Sequence, residues 1–524
     1  INILIRNLLI LSKLKTYSPQ MKIIVLILLF TASVSYSNYS TPGSGVTWTL
    51  DSLVNNSSGD VTFSGGAYLV NDTINISMGD TVKILSNSVL KFAASVFIDI
   101  FGVLIINPPD SVTITAQDTV TKFLGLKFED QSDGSVLKKL IFEYGNSIRM
   151  LDCNILIDSC IIRYNTLNSA FASGAISLFR SNSVISNCKI FRNRRSAITS
   201  GANIPSSPKI LNNHIYENNT ENANVPQINF GATGTEQMVI RGNVITGLFN
   251  NCGGISFLPV GSIPDAVIEN NIITKNRYGI AVQGGNINLY INNNIIDSNN
   301  IQGNPMLGGS GINFNGSSTQ NTVVTRNKIR GNLWGITIQA TAKPNLGNLS
   351  NADTADIGMN EIYNNGNSGK IFDLFNNTPD SIKAENNYWG TDNADTAEAH
   401  IFHSPDSAAL GFVDYLPLRL ITSVTENFNV EISDGFELFN AYPNPFNPDA
   451  VIKFSVSDSK NNSGIYTLQI FDINGRLVTE LLNSRLNEGN YSVKFNAADL
   501  PSGVYIYRLS NSRISVSKKL MLLK

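Results

Sequence analysis

Apolar and polar positions repeat in one frame along the middle of the chain, between about residues 155 and 392. The frame is an apolar residue, two variable positions, Asn, one variable position, Ile, two variable positions and Asn. Ile185–Asn193, Ile268–Asn276, Ile291–Asn299 and Val324–Asn332 are four of nine copies. The first polar slot holds Cys160, Cys188, Asn213, Asn243, Asn271, Asn294, Asn327, Asn360 and Asn387. Two positions on stand Ile162, Ile190, Ile215, Ile245, Ile273, Ile296, Ile329 and Ile362, and then Trp389. Three positions further stand Asn165, Asn193, Asn218, Asn276, Asn299, Asn332 and Asn365, with Leu248 the exception. A second apolar beat precedes most copies: Ala175-Ile176, Ala197-Ile198, Gln227-Ile228, Gly254-Ile255, Gly279-Ile280, Gly311-Ile312, Gly335-Ile336 and Lys370-Ile371.

The period is about 28 residues, the signature of a stacked solenoid. Each repeat holds at least two short β-branched runs separated by Gly, Asn and Ser, which predicts strands joined by turns. No repeat shows a sustained 3.6-residue apolar period, which excludes a helical solenoid. The predicted fold is all-β: a parallel β-helix in which each coil adds one rung to each sheet, about 4.8 Å from the last. The Ile column stacks inside. The Asn columns sit at bends, where Asn tolerates left-handed backbone, and their amides bond from coil to coil.

These repeats resemble the right-handed parallel β-helix proteins of the pectin-lyase-like superfamily, over residues 46–417. The resemblance implies three strands per coil. It implies little about activity, because that scaffold carries lyases, hydrolases, adhesins and binding proteins alike. Residues 61–115 read as an N-terminal cap and first rungs. Ala384–Thr391, with its Asn-Tyr-Trp-Gly segment, resembles a closing rung in which Trp389 plugs the last coil.

Composition narrows the setting. Of 524 residues, 38 are Lys or Arg and 40 Asp or Glu, a net charge of −2. With no basic excess, nucleic acid and anionic membrane are excluded as partners. Residues 21–37 read as a secretory signal peptide: Met21-Lys22, an apolar run through Phe30, then small residues. The run is too short to span a membrane. Residues 1–20 read as an over-extended gene start. Cys160 and Cys188 share a slot on successive coils, within reach of a disulfide in an oxidising exterior. Buried free thiols are the equal alternative. Cys153 and Cys252 have no evident mates.

After a polar linker at 421–437 the pattern changes to short alternating strands, which predict a small β-sandwich. Asp472–Gly475 carries the Asn-Gly pair favoured by two-residue hairpins. Residues 438–524 resemble the type A C-terminal sorting domain of the type IX secretion system. Four features carry the resemblance: Tyr442-Pro443-Asn444-Pro445-Phe446-Asn447-Pro448, the Asp-x-x-Gly-Arg turn with Gly475, Ser-Gly-Val-Tyr with Gly503 and Tyr505, and a basic-then-apolar tail beginning at Lys518 and Lys519. The resemblance implies recognition by the secretion machinery and display outside a Gram-negative-type cell.

Catalytic chemistry is hard to find on the coil. The superfamily's hydrolases use Asp pairs and a Gly-His-Gly segment; here no Asp-Asp pair exists, and His214, His400 and His403 lack flanking glycines. Its pectate-lyase-like members use a carboxylate-bound Ca²⁺. Asp152, Asp158, Glu217, Glu269 and Asp297 are the candidate carboxylates here, but they do not share one column. No metal centre or other cofactor is expected, Ca²⁺ belonging only to the lyase alternative. The most suggestive patch is basic: Arg163, Arg192, Arg194 and Arg195 on neighbouring coils, suited to carboxylate or sulfate recognition. Tyr144, Tyr164, Tyr216 and Tyr278 are candidate sugar-stacking residues. Two functions follow. One is a glycan-binding, adhesive or structural surface protein. The alternative is a polysaccharide lyase, epimerase or hydrolase acting on an acidic polysaccharide.

Overall fold

The computed structural model describes residues 38–167, 173–259, 264–420, 436–456, 465–473, 475–486, 489–511 and 515–524. The expected signal peptide at 21–37, the residues before it and most of the expected linker lie outside them. The chain divides into two compact units, residues 1–421 and 422–524.

The first unit is a parallel β-helix. Among the described residues its coils build three sheets of 14, 13 and 11 strands, so each full coil contributes three strands. Apart from an antiparallel hairpin of Val61–Ser64 with Ala67–Val70, the rungs of these sheets pair in parallel. Two N-terminal elements lie beyond the apolar pattern. The first rung reaches back to Tyr39–Ser40, which pairs with Ile74 and Asn75. A short helix, Leu50–Asn56, capped by the Thr49 side chain, places Leu50 and Leu53 in the core.

The interior follows from the side-chain columns. On the 13-stranded sheet Ile162, Ile190, Ile215, Ile245, Ile273, Ile296, Ile329 and Ile362 are register partners in sequence. All are fully buried, as is Trp389 beyond them. Each such side chain contributes about 1.5–3 kcal/mol by leaving water. On the 14-stranded sheet a second column runs through Ile176, Ile198, Ile228, Ile255, Ile280, Ile312, Ile336 and Leu374. Leu374 takes the last place instead of the expected Ile371, which is exposed in a short antiparallel pair with Gly366–Asn367. Glycine precedes the Ile in the later coils because nothing larger fits. A Cβ on Gly311 would lie 2.7 Å from both the Gly335 carbonyl and the Ile329 Cγ2.

The bends contain the amide ladders, and here the local prediction needs correcting. The left-handed residue is not the ladder Asn but the one before it. Ser159, Asn187, Asn212, Gly242, Asn270, Asn293, Arg326, Met359 and Asn386 all have φ between +53° and +70°. That one residue turns the chain, and the following Asn points inward. Asn243 shows the unit: its backbone N–H and its Nδ2 both donate to Asn271 Oδ1 at 2.9 Å, and Nδ2 also donates to the Ile210 carbonyl. The same pattern recurs to Asn387.

The second ladder skips the coil of Leu248, and Gln227 fills the gap. Its Oε1 accepts from Asn218 Nδ2 at 3.0 Å, and its Nε2 donates to Asn276 Oδ1 at 3.1 Å. The ladder ends on Asp373, whose Oδ1 accepts both the backbone N–H and Nδ2 of Asn365.

The cysteine pair does not form a disulfide: all four thiols are free and buried. Cys188 Sγ sits where an Asn amide would, accepting from the Cys160 N–H at 3.4 Å and donating to the Ser186 carbonyl at 3.0 Å. Cys160 Sγ likewise donates to the Leu137 and Asp158 carbonyls. The two side chains therefore point the same way, one rung apart. A disulfide needs Cβ atoms about 3.8 Å apart and converging, closer than the ~4.8 Å rung spacing.

The second unit is an antiparallel sandwich. Phe436–Leu438, Asp449–Val456 and Gly489–Asn496 form one sheet; Leu477–Arg485, Ile465–Asp472, Gly503–Ser510 and Ser515–Leu522 form the other. Phe446, Phe454, Leu468, Ile470, Phe495, Tyr507 and Leu509 fill its core. The turn after Asp472 is longer than the two-residue hairpin expected from Asn-Gly. The Asp472 N–H bonds the Arg476 carbonyl at 3.0 Å, and the Asp472 carboxylate accepts the Arg476 N–H at 2.9 Å. That side-chain cap makes the wider loop stable.

Candidate functional site

Strand alternation on the 14-stranded sheet sends every second side chain outward. One outward column runs Ala281, Asn313, Thr337, Phe375; beside it run Gln283, Asn315, Gln339 and Asn377, in the same register. Four rungs make a floor about 14 Å long. Over it lies a groove of about 380 Å³. Hydroxyls and amides cover most of the floor, and Asn313 Nδ2 is held by Thr337 Oγ1 at 2.6 Å. The wall is apolar. The rings of Trp334 and Phe375 stack with centroids 5.4 Å apart, and Trp334 Nε1 donates to the Pro305 carbonyl at 3.0 Å. That bond ties the ring to the loop carrying Met306, which is 85% exposed, and Leu307. Arg277 and Tyr278 close one end. Burial pushes the Tyr278 hydroxyl up to about 12, so it remains a neutral hydrogen-bonding group in ordinary buffers.

A second cluster lies on the same face, several rungs toward the N-terminus. Asp99, Lys127 and Arg149 are consecutive register partners, pointing away from buried Ile98, Leu126 and Ile148. Arg149 pairs with Glu129 at 2.7 Å, and Lys127 Nζ sits 3.2 Å from the centroid of the Phe97 ring. Burial, helped by the nearby Glu129 charge, raises the Asp99 carboxyl above the usual range. Burial lowers the Lys127 ammonium. Asp99 Oδ1 is buried without a hydrogen-bond partner.

Neither site was among the residues expected from sequence, apart from Tyr278. The four arginines that were expected are near one another but committed to carboxylates. Arg163 pairs with Glu143 at 2.8 Å and Arg192 with Glu217 at 2.7 Å. Arg194 meets Glu221 at 2.9 Å, and Arg195 pairs with the same carboxylate. Three of the four expected tyrosines are stacked on other rings, Tyr144 on Tyr164 at 5.3 Å and Tyr216 on Phe191 at 4.7 Å, while Tyr278 lines the groove. The stacked faces are occupied by neighbouring rings.

The expected Ca²⁺ carboxylates also have protein partners. Asp152 is held by Arg180, Glu217 by Arg192, Glu269 by Arg241 and Asp297 by Arg330. Asp158 accepts from Ser186 and Asn187, which help hold its carboxyl below the usual range although burial opposes them. No group of three or more His, Cys, Asp or Glu placed to hold a metal occurs among the described residues.

The sandwich positions the rest. Phe446 is buried against Phe495 and exchanges backbone bonds with the last strand, to Met521 and from Leu523. Asn444 acts as a short stand-in strand: Oδ1 accepts the Met521 N–H and Nδ2 donates to the Lys519 carbonyl. Pro448 accepts the Ala497 N–H at 2.8 Å. Tyr442, Pro443, Pro445, Asn447 and Lys519 are exposed, Tyr442 by 79%. Lys518 reaches Asn440 at 2.8 Å, and burial lowers its ammonium. Gly475 adopts φ +77°, and Gly503 opens the strand that holds Tyr505.

The proline-rich segment thus seals the outer edge of the C-terminal strand of a compact sandwich that follows a solenoid. That module is an export signal: residues 440–523 match the family described as the secretion system C-terminal sorting domain. The protein is accordingly a type IX secretion substrate, secreted or held at the cell surface of a Bacteroidetes-type bacterium. No curated protein and no solved structure matches the chain. Among the described residues no helix is long and apolar enough to cross a membrane.

Proposed function

We propose that the β-helix is a glycan-binding element, carried outside the cell by the sorting domain and holding an extended polysaccharide along the groove of its 14-stranded sheet. The observation that carries this reading is the composition of the groove. Six of the eight outward residues in its two in-register columns are Asn, Gln or Thr, and Trp334 stacks on Phe375 beside them. Sugars present the same combination of hydroxyls around an apolar C–H face, and binding sites for such molecules pair apolar surface with a few placed polar groups. The residues lining the groove include no carboxylate, His or Lys, which supports binding there rather than cleavage.

The test is retention on a panel of polysaccharides, scored together with new chain ends. The Trp334→Ala protein is expected to lose retention while keeping its fold. Unchanged retention in that variant would refute the groove as the site.

The enzyme reading rests on a different observation, the cluster of Asp99, Lys127, Glu129 and Arg149. A carboxyl raised and an ammonium lowered on one outward face are shifted in the directions that acid–base work uses. New chain ends that disappear in Lys127→Ala would establish it. Retention without new ends would leave binding as the function.

A further inference from the structure

Ion pairing across the coil singles out one residue of the groove. Arg149, Arg163, Arg180, Arg192, Arg194, Arg195, Arg241, Arg330 and Arg419 each pair with a carboxylate. Arg277 does not. Its Nε donates to the Leu307 carbonyl at 2.6 Å and its Nη1 to Asn224 Oδ1, both neutral oxygens. Arg326 is the other described coil arginine without a carboxylate partner, and it lies at a turn of the third sheet rather than in the groove.

Arg277 is held in place for a purpose other than neutralising a neighbour. The Gly309 N–H bonds its carbonyl at 2.6 Å, and a Cβ on Gly308 would stand 2.7 Å from its Cγ, so the loop closes on it only because Gly308 has no side chain. A guanidinium offers five N–H donors, and the two bonds above use two of them on a residue that lines the groove. Arg277 is the one charged side chain among the lining residues, so the groove is a fixed positive site with no internal counter-ion.

Resting on the binding function above, we propose that the groove selects anionic glycans and that Arg277 reads the acidic group. That group has paired anionic oxygens, as in a uronate carboxylate or a sulfate ester, which match the planar fork of a guanidinium. The amide and hydroxyl columns then contact the neutral part of the same chain.

The experiment uses the full chain, with wild type, Arg277→Gln, Arg277→Lys and Trp334→Ala compared on three polymers: polygalacturonate, dextran sulfate and unmodified dextran. Wild type is expected to bind one or both anionic polymers, with salt weakening the interaction. Arg277→Gln should lose roughly 10- to 100-fold in affinity, the loss of a hydrogen bond to a charged group. Arg277→Lys should recover part, and dextran binding should not change with the Arg277 variants. The polygalacturonate and dextran sulfate arms distinguish carboxylate from sulfate. Tryptophan fluorescence verifies that each variant is folded. If Arg277→Gln binds the anionic polymers like wild type, the inference is overturned. If dextran is bound as well as they are and Trp334→Ala loses it, the inference falls and the groove's binding function stands. If no polymer is retained by wild type, both fall.

Discussion

Replacing Asn271 tests the ladder that defines the coil. Its Oδ1 accepts the Asn243 N–H and Nδ2, each at 2.9 Å; its own Nδ2 donates to the Ile240 carbonyl and to Asn294 Oδ1, each at 2.9 Å. Alanine removes all four bonds. Asn243 Nδ2 keeps the Ile210 carbonyl, and Asn294 Oδ1 keeps the Asn271 backbone N–H, so those groups lose only part of their bonding. The buried Asn243 N–H loses its side-chain acceptor. An unsatisfied buried donor costs about 1–3 kcal/mol and each of the three further lost bonds about 0.5–1.5, so Asn271→Ala should cost about 2.5–7.5 kcal/mol. Cysteine should cost about half as much, because Cys188 occupies the same slot and both accepts and donates there. Urea unfolding followed by tryptophan fluorescence reads the coil alone, since Trp48, Trp334 and Trp389 all belong to it. A loss for alanine under about 0.5 kcal/mol, or equal losses for alanine and cysteine, would refute the assignment of stability to the ladder.

Three further outcomes are expected. Gln227→Ala should cost about 2–4 kcal/mol, since Gln227 alone joins Asn218 to Asn276 across the coil of Leu248; a change within error in the same urea assay would contradict the bridge. The closing coil should loosen as pH rises. His400 is raised by its hydrogen bond with Asp373, and Asp373 is raised by burial. Raised folded values mean that the stabilisation is complete below the unfolded values, about 6.5 and 3.9, and is lost as pH passes the folded ones. Beyond base-catalysed exchange itself, amide protection around Leu374 and Ile401 should fall as pH rises through the raised folded values, and Asp373→Asn should flatten that dependence. In the sandwich, Phe446→Ala should cost about 3–5 kcal/mol, whereas Tyr442→Ala should leave its stability unchanged while remaining free to affect export; equal thermal shifts would contradict that division.

Much of the coil was legible because each inner column repeats one environment. Ile215 and Ile245 meet the same neighbours one rung apart, so the same residue type recurs and the spacing is visible. The outward columns have no such constraint. Ile98-Asp99-Ile100, Leu126-Lys127-Phe128 and Ile148-Arg149-Met150 each read as a strand, but unequal coil lengths conceal that Asp99, Lys127 and Arg149 stack. Gln227 and Asp373 were hidden for a related reason: each serves a ladder from outside the Asn column, Gln227 from within a strand and Asp373 from the bend just before Leu374. The arginine patch was found by proximity, and its neutralisation by Glu143, Glu217 and Glu221 required side-chain positions. The cysteine spacing was read correctly, but spacing does not carry the direction of the thiols. Trp334, Met306 and Phe375 come together through a loop and two rungs, a conjunction that no local pattern marks.

The direction of the ladders makes coil number editable in the middle but not at the end. Every amide acceptor in the slot column belongs to the following coil, so each coil depends on its C-terminal neighbour and can be indifferent to which neighbour that is. Excising the 23 residues that carry Asn294, from the position after Asn271, would deliver Asn327 to Asn271 in place of Asn294 and leave donors and acceptors matched. Cutting the solenoid after any coil would instead strand two donors on its final rung. A shortened version must carry its terminus with it: Asp373 with His400 for one ladder, and the Leu346 and Ala384 carbonyls that receive Asn387 for the other. Reach can then be varied a coil at a time, like links removed from a chain whose clasp stays in place.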